Sequence, residues 1–292
     1  MDPPPPPPWI ELPRDVTENI LRRVGPLLIL GFAQKVCTTW RSLCSEPSFW
    51  RVMDIIEESY DFDEYYDDIF YNSDVMYRRA VDLSQGELID INIHISVTDR
   101  LLHYISERSS RLKRLRLGDC TLISIEDLTA SVKKLPELEE LHLFFLPYIT
   151  AEEVEAIIIS CPKLKSFTFN FRSYIDELLE IDNSCALTIA KNMPNLEHLC
   201  LIGNRLNNEG LKAILDGCPK LESLELRKCF SVDLQGDFGK ICSERIKYLK
   251  CHSDSVTVIE SDDMIIEEEE EEEYQSQALM LLNYLQGRGN RI

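Results

Sequence analysis

The spacing L-x-x-L-x-L recurs seven times in this chain, at Leu88/Ile91/Ile93, Leu112/Leu115/Leu117, Leu138/Leu141/Leu143, Leu164/Phe167/Phe169, Leu196/Leu199/Leu201, Leu221/Leu224/Leu226 and Ile246/Leu249/Cys251. Consecutive starts lie 24, 26, 26, 32, 25 and 25 residues apart. No other feature restricts the fold as strongly. A period of this length requires a stack of similar units, each giving one short strand and one helix or helical turn, and each burying its apolar face against its neighbours. The eighth position after each first apolar residue, where such units favour Asn or Cys, holds Cys120, Asn204 and Cys229 in three units and Ser96, Leu146 and Arg172 in three others.

This is the period of leucine-rich repeats. Amphipathic stretches between the strands, such as Val154 to Ser160 and Leu211 to Gly217, read as helices that end at Cys161-Pro162 and Cys218-Pro219. Both cysteines are expected to be small buried groups at helix ends. The fourth unit, 32 residues long, carries an insertion within Tyr174 to Ser184, either an extended helix or a protruding loop.

Strand side chains alternate faces, so the residues between the apolar positions line one exposed concave sheet. From that face His94, Arg116, His142, Phe144, His198, Arg227, Tyr248 and His252 are the candidate substrate contacts, a polar and aromatic set suited to recognising a protein. Four of the five histidines fall there. They occupy alternate repeats, which sets neighbours ~10 Å apart, too far for the ~2.0 Å bonds of a shared metal ion. No metal or cofactor is expected.

The chain of 292 residues holds 51 acidic and 31 basic side chains, a net charge of −20. Nine carboxylates between Asp54 and Asp74 and ten between Glu260 and Glu273, with no cation among them, account for all but about one unit of that charge. The result is a nearly neutral body with two acidic segments, which excludes phosphate-tracking nucleic-acid binding. No stretch reaches the ~18 apolar residues of a membrane span. Asp2 and then Pro3 to Pro8 stand where a secretory signal would be basic and apolar. The ten cysteines form no CxxC pair, so free thiols in a reducing compartment, nucleus or cytoplasm, are expected.

Residues 9–54 have a helical pattern. Pro13, Asp15 and Glu18 mark a helix start, Arg22, Arg23 and Gly25 its end, and Val16, Ile20, Leu21 and Val24 form one apolar stripe. Phe32, Val36, Trp40 and Leu43 continue at helical spacing. The ordered set Leu12-Pro13, Ile20-Leu21, Val36-Cys37-Thr38-Thr39-Trp40-Arg41 and Pro47 followed by Phe49-Trp50-Arg51 resembles an F-box. The Asp that often precedes the apolar pair in the middle of that motif is missing from Gly25 to Leu30.

With the repeats, residues 9 to 252 resemble plant F-box proteins with leucine-rich repeats, the small SKIP-like subgroup in particular. The resemblance implies a mixed α/β chain with a three-helix F-box followed by a solenoid of about seven units. It implies an SCF-type ubiquitin-ligase receptor that reaches cullin and RING subunits through a Skp-type adaptor. Leu12, Pro13, Ile20, Leu21, Val36, Cys37, Trp40, Arg41 and Trp50 would touch the adaptor, and the concave face an unidentified protein substrate. The expected layout is a Pro-rich tail 1–8, F-box 9–54, acidic linker 55–78, repeats 79–252 and acidic tail 253–292. Within that tail the spacing of Ala278, Leu279, Leu281, Leu282 and Leu285 is helical, read as a loose end and not as a cap on the last repeat.

No GxGxxG, GxxxxGK[ST], HExxH or GxSxG motif occurs, and the chain is not expected to be an enzyme. The rival reading is an acidic leucine-rich nuclear protein holding histones or other basic partners through Glu267 to Glu273.

Overall fold

The computed structural model describes residues 12–23, 26–55, 73–146, 149–171 and 181–251. The expectations placed on 1–8, on the acidic tail with its Leu-rich stretch, on His252 and on most of the insertion at Tyr174 to Ser184 fall outside them.

The N-terminal unit has helices α1 (Arg14–Arg22), α2 (Pro26–Gly31) and α3 (Thr38–Cys44), with single 3-10 turns at Ala33–Lys35 and Pro47–Trp50. α1 does not bury one apolar stripe. Its inward face is Thr17 and Leu21, 2% and 0% exposed, four residues apart, while Val16 and Ile20 on the next face stand 41% and 42% exposed. Thr17 is tolerated inside because its hydroxyl donates to the Pro13 carbonyl at 3.0 Å. The second helical run is likewise interrupted. Cys37 is fully extended (φ −155°, ψ 172°), so Phe32 and Val36 precede α3, and both lie in solvent while Leu43 and Cys44 turn inward.

The unit closes with the Pro47–Trp50 turn. The Trp50 indole N–H donates to the Cys44 carbonyl at 2.8 Å, and its ring meets Phe49 edge-on at 5.3 Å. Arg22 bonds the carbonyls of Phe49 and Ser48 at 3.0 and 3.2 Å, which ties α1 to this turn.

The repeats follow as β1 (Val52–Ile55), α4 (Ser73–Leu83), β2 (Asp90–Ser96), α5 (Asp99–Arg108), β3 (Arg114–Asp119), α6 (Ile125–Val132), β4 (Glu140–Leu146), α7 (Ala151–Ser160), β5 (Ser166–Phe171), α8 (Ser184–Asn192), β6 (His198–Ile202), α9 (Asn208–Gly217), β7 (Ser223–Arg227), α10 (Gly236–Arg245) and β8 (Tyr248–Cys251). Among the described residues the strands form one parallel sheet in strict chain order. Each apolar position of the motif becomes a row across it. Met53, Ile91, Leu115, Leu141, Phe167, Leu199, Leu224 and Leu249 stand in one register, and Ile55, Ile93, Leu117, Leu143, Phe169, Leu201, Leu226 and Cys251 in the next. All but the last member of each row are buried.

The helices start where side chains accept the first orphan amides. Thr98, Ser124 and Asn207 do so, and Thr150 forms a reciprocal capping box with Glu153. Cys161 and Cys218 end α7 and α9, 2% and 0% exposed. Burial alone pushes the Cys161 thiol up to about 12 and outweighs Arg245 in pushing Cys218 to about 11. The two are inert core groups.

Seven strands match the seven motifs, and β1 is an eighth without the L-x-x-L-x-L spacing. Its inward residues Met53 and Ile55 continue both rows, and Trp50, three residues before Met53, occupies the position that Leu holds elsewhere. Of the segment 55–78, expected as an acidic linker, residues 56–72 lie outside the described ones, while its two ends belong to β1 and α4. One continuous apolar core runs from Leu21 to Ile246, so the N-terminal helices and the repeats share it. No described helix is long and apolar enough to cross a membrane.

Candidate functional site

Two surfaces carry the residues singled out by the sequence. On the N-terminal unit Pro13, Ile20, Val36 and Arg41 are exposed and Leu12, Cys37 and Trp40 half-buried. Arg41 is steadied by donating to the Gln34 carbonyl at 3.2 Å. Leu21 and Trp50 leave the contact set. They are 0% and 1% exposed, and a side chain enclosed in its own core has no surface to offer a partner. Val16 and Phe32, absent from the predicted set, are as exposed as Ile20 and Val36. Periodicity alone put Val16, Ile20 and Leu21 on one stripe, because a helix with two apolar faces does not declare which one its neighbours cover.

The concave face divides along the sheet. Across β1 to β5 many of its polar side chains pair with one another, although Oδ1 of Asp90 and of Asn92 are buried without a hydrogen-bond partner. Arg114 binds Asp90 at 2.7 Å, and Arg116 reaches both Asp90 at 3.5 Å and Glu140 at 3.7 Å. His94 sits 3.0 Å from Asp54 and 2.7 Å from the Asn92 amide, and His142 pairs with the Thr168 hydroxyl at 2.8 Å. His142, then Arg114 and Arg116, hold the Glu140 carboxyl below its ordinary range against the cost of burying it. The predicted contacts His94, Arg116 and His142 are thus joined into a fixed mosaic, with side chains 19% to 25% exposed.

Across β6 to β8 the side chains stand further out. His198 is exposed, Tyr248 is 68% exposed, and Arg227, 52% exposed, leans on Glu225, which Lys250 also approaches at 3.9 Å. Cys200 on the same strand face as His198 has its thiol pushed up by burial and by Glu225, the opposite of what a nucleophile requires. Among the described residues no grouping of three or more His, Cys, Asp or Glu is arranged to hold a metal ion.

Phe144 is half-buried at the end of β4, and beside it stands Phe145, equally half-buried, which the alternating pattern assigns to the core. Asn170, 2% exposed on β5, accepts the Phe145 amide. Neither Phe145 nor Asn170 stands out from the sequence, since the extra residue in β4 shows only in the pairing.

Residues 9–56 match the F-box-like family model. The chain is 42% identical over 252 residues to F-box protein SKIP19 of Arabidopsis thaliana, covering 86% of this chain and 80% of that one. This is a plant F-box/leucine-rich-repeat protein. It is also 44% identical to putative F-box/LRR-repeat proteins 23 and 22 of the same plant, over 85% and 84% of this chain. It spans 54% of the length of the former and 77% of the latter. The F-box thus takes in the helices α1 to α3 and, through Trp50, runs straight into the first repeat strand.

Proposed function

We propose that this protein is the substrate-recognition subunit of an SCF-type ubiquitin ligase, with a Skp-type adaptor on the F-box and a protein substrate on the concave face. One observation carries the reading. Val16, Ile20, Phe32 and Val36 are 41% to 48% exposed within a unit whose inward residues are almost wholly enclosed. Apolar side chains kept in water on short helices gain by docking on an apolar partner. The shared core supports the second half of the reading, because it holds both surfaces on one body and so would keep a captured lysine at a fixed place relative to the adaptor. Ubiquitin transfer would be the work of other subunits, and this chain would contribute proximity, which raises the effective concentration of the reacting groups.

The test is a two-component binding assay with purified Skp-type adaptor. Val16→Asp with Ile20→Asp is expected to abolish binding while leaving the melting temperature unchanged, since both side chains already face solvent. Undiminished binding by the folded double variant overturns the reading. Recovery of histones without adaptor favours the acidic-tail alternative.

A further inference from the structure

On β4 the inward residues Leu141, Leu143 and Leu146 are 0%, 0% and 1% exposed. Strict alternation allows one outward residue between two inward ones, yet Phe144 and Phe145 both stand between Leu143 and Leu146. The pairing shows the cause. Leu143 faces Phe169 and Leu146 faces Phe171, so three steps on β4 match two on β5 and one residue is extra. Phe145 absorbs it with φ +53°, a left-handed conformation that costs a non-glycine residue about 1 to 2 kcal/mol.

Such a residue persists only where its surroundings hold it, and both neighbouring segments do. The Cys120 amide, just past β3, donates to the Phe144 carbonyl at 3.0 Å, and the Phe145 amide donates to Oδ1 of Asn170 on β5. Gly203 and Lys228 are left-handed at the equivalent place after β6 and β7, with φ +65° and +52°. Only on β4, among the described residues, are both outward residues aromatic.

We infer that Asn170 is a positioning residue. By fixing Phe145 in its left-handed turn it presents Phe144 and Phe145 together at the rim of the concave face, as an anchor for an aliphatic or aromatic side chain of the protein substrate. This rests on the concave face being the substrate surface. Two adjacent rings held by hydrogen bonds on both sides offer apolar area with little ordering cost on binding, the property of an interface hot spot. Beside them lies the mosaic of Arg116, Glu140 and His142, whose charges are already paired, so this part of the face selects by apolar fit.

The test uses the full-length chain and a displayed library of random linear peptides as the probe. The wild-type chain is expected to enrich peptides sharing an apolar residue, and Phe144→Ala is expected to abolish that enrichment. Asn170→Ala should weaken the selected peptides about tenfold, equivalent to ~1.4 kcal/mol, and speed amide exchange at residue 145 while β6 to β8 stay protected. Asn170→Asp, which keeps an acceptor oxygen, should restore binding, a rescue that a general packing role does not give. Phe145→Gly, which takes the turn without strain, should fold normally and lose the anchor through loss of its ring. If enrichment depends on Phe144 but is unchanged by Asn170→Ala, the positioning role fails and the concave reading stands. If peptides are enriched with no dependence on any concave residue, the concave reading itself fails. Enrichment of purely polar peptides, or of none, overturns the apolar anchor.

Discussion

The F-box and the repeat array use the same aliphatic residues and dispose of them in opposite ways. In the array a strand paired on both sides has no freedom. Register fixes which residues face the helices, and Leu115, Leu141, Leu201 and Leu224 are all fully enclosed. In the F-box three short helices turn their inner faces to a core they share with the repeats, and Val16, Ile20, Phe32 and Val36 remain in water. Among the described residues an exposed large aliphatic side chain stands on a strand of the array only at Val52, 50% exposed on the edge strand β1, whereas the F-box keeps several on the surface proposed for the adaptor.

Matched truncations test this contrast most sharply. Leu201→Ala, in the middle of an inward row, is expected to cost ~2 to 5 kcal/mol of stability through lost burial and the cavity left behind. Ile20→Ala should change stability by less than about 0.5 kcal/mol, as for other surface positions. Denaturant unfolding of the full chain measures both. Equal losses would mean that Ile20 belongs to the core of the fold as Leu201 does.

The sequence made the array legible because its signal repeats. Each L-x-x-L-x-L states a strand, its inward face and its neighbour's register at once, and all seven strands lie where the spacing puts them. It failed where a single residue carried two roles. Trp50 closes the F-box and also stands in the first Leu position of β1, so this strand lacks the L-x-x-L-x-L spacing that marks the other seven. It failed in α1 because Leu21 and Ile20 are adjacent and equally apolar, and only the packing against α3 and the Pro47–Trp50 turn decides which is core. On the concave face the outward positions of the strands could be read off, but their pairing could not. Arg116 looks like a free contact in sequence and proves to be shared between Asp90 and Glu140.

Regular alternation breaks at a second place, and there two neighbouring backbones lie close together. β2 also carries an extra residue, between Ile93 and Ser96, and its kinked backbone lies against Gly118. A Cβ built on Gly118 would stand 2.9 Å from the His94 Cα and 3.0 Å from the Ile93 carbonyl oxygen. Both are backbone atoms that no rotamer change can move. Gly118→Ala is accordingly expected to cost about 1 to 3 kcal/mol, the range for overpacking, and to shift the His94 ring resonances by displacing it from Asp54. An unchanged melting temperature would show that the repeat strands tolerate side chains as readily as the F-box surface does.

The smallest expected effect lies at the left-handed position shared by three units. Phe145, Gly203 and Lys228 adopt φ +53°, +65° and +52° at the second residue past the last inward apolar position of the motif, and only one of them is glycine. If the turn is imposed by the array and not chosen by its residue, Gly203→Ala must introduce the strain that glycine avoids, about 1 kcal/mol. Lys228→Gly must release it. The release is reduced by the ~0.5 to 1 kcal/mol that glycine gives up in chain entropy on folding, so a gain of only a few tenths of a kcal/mol is expected. Opposite signs for the two substitutions, read from melting temperatures of the full chain, confirm that the solenoid dictates backbone conformation to whichever residue occupies the site. Equal signs would mean that each unit relaxes around its own residue, and the contrast between the two regions would then reside in their side chains alone.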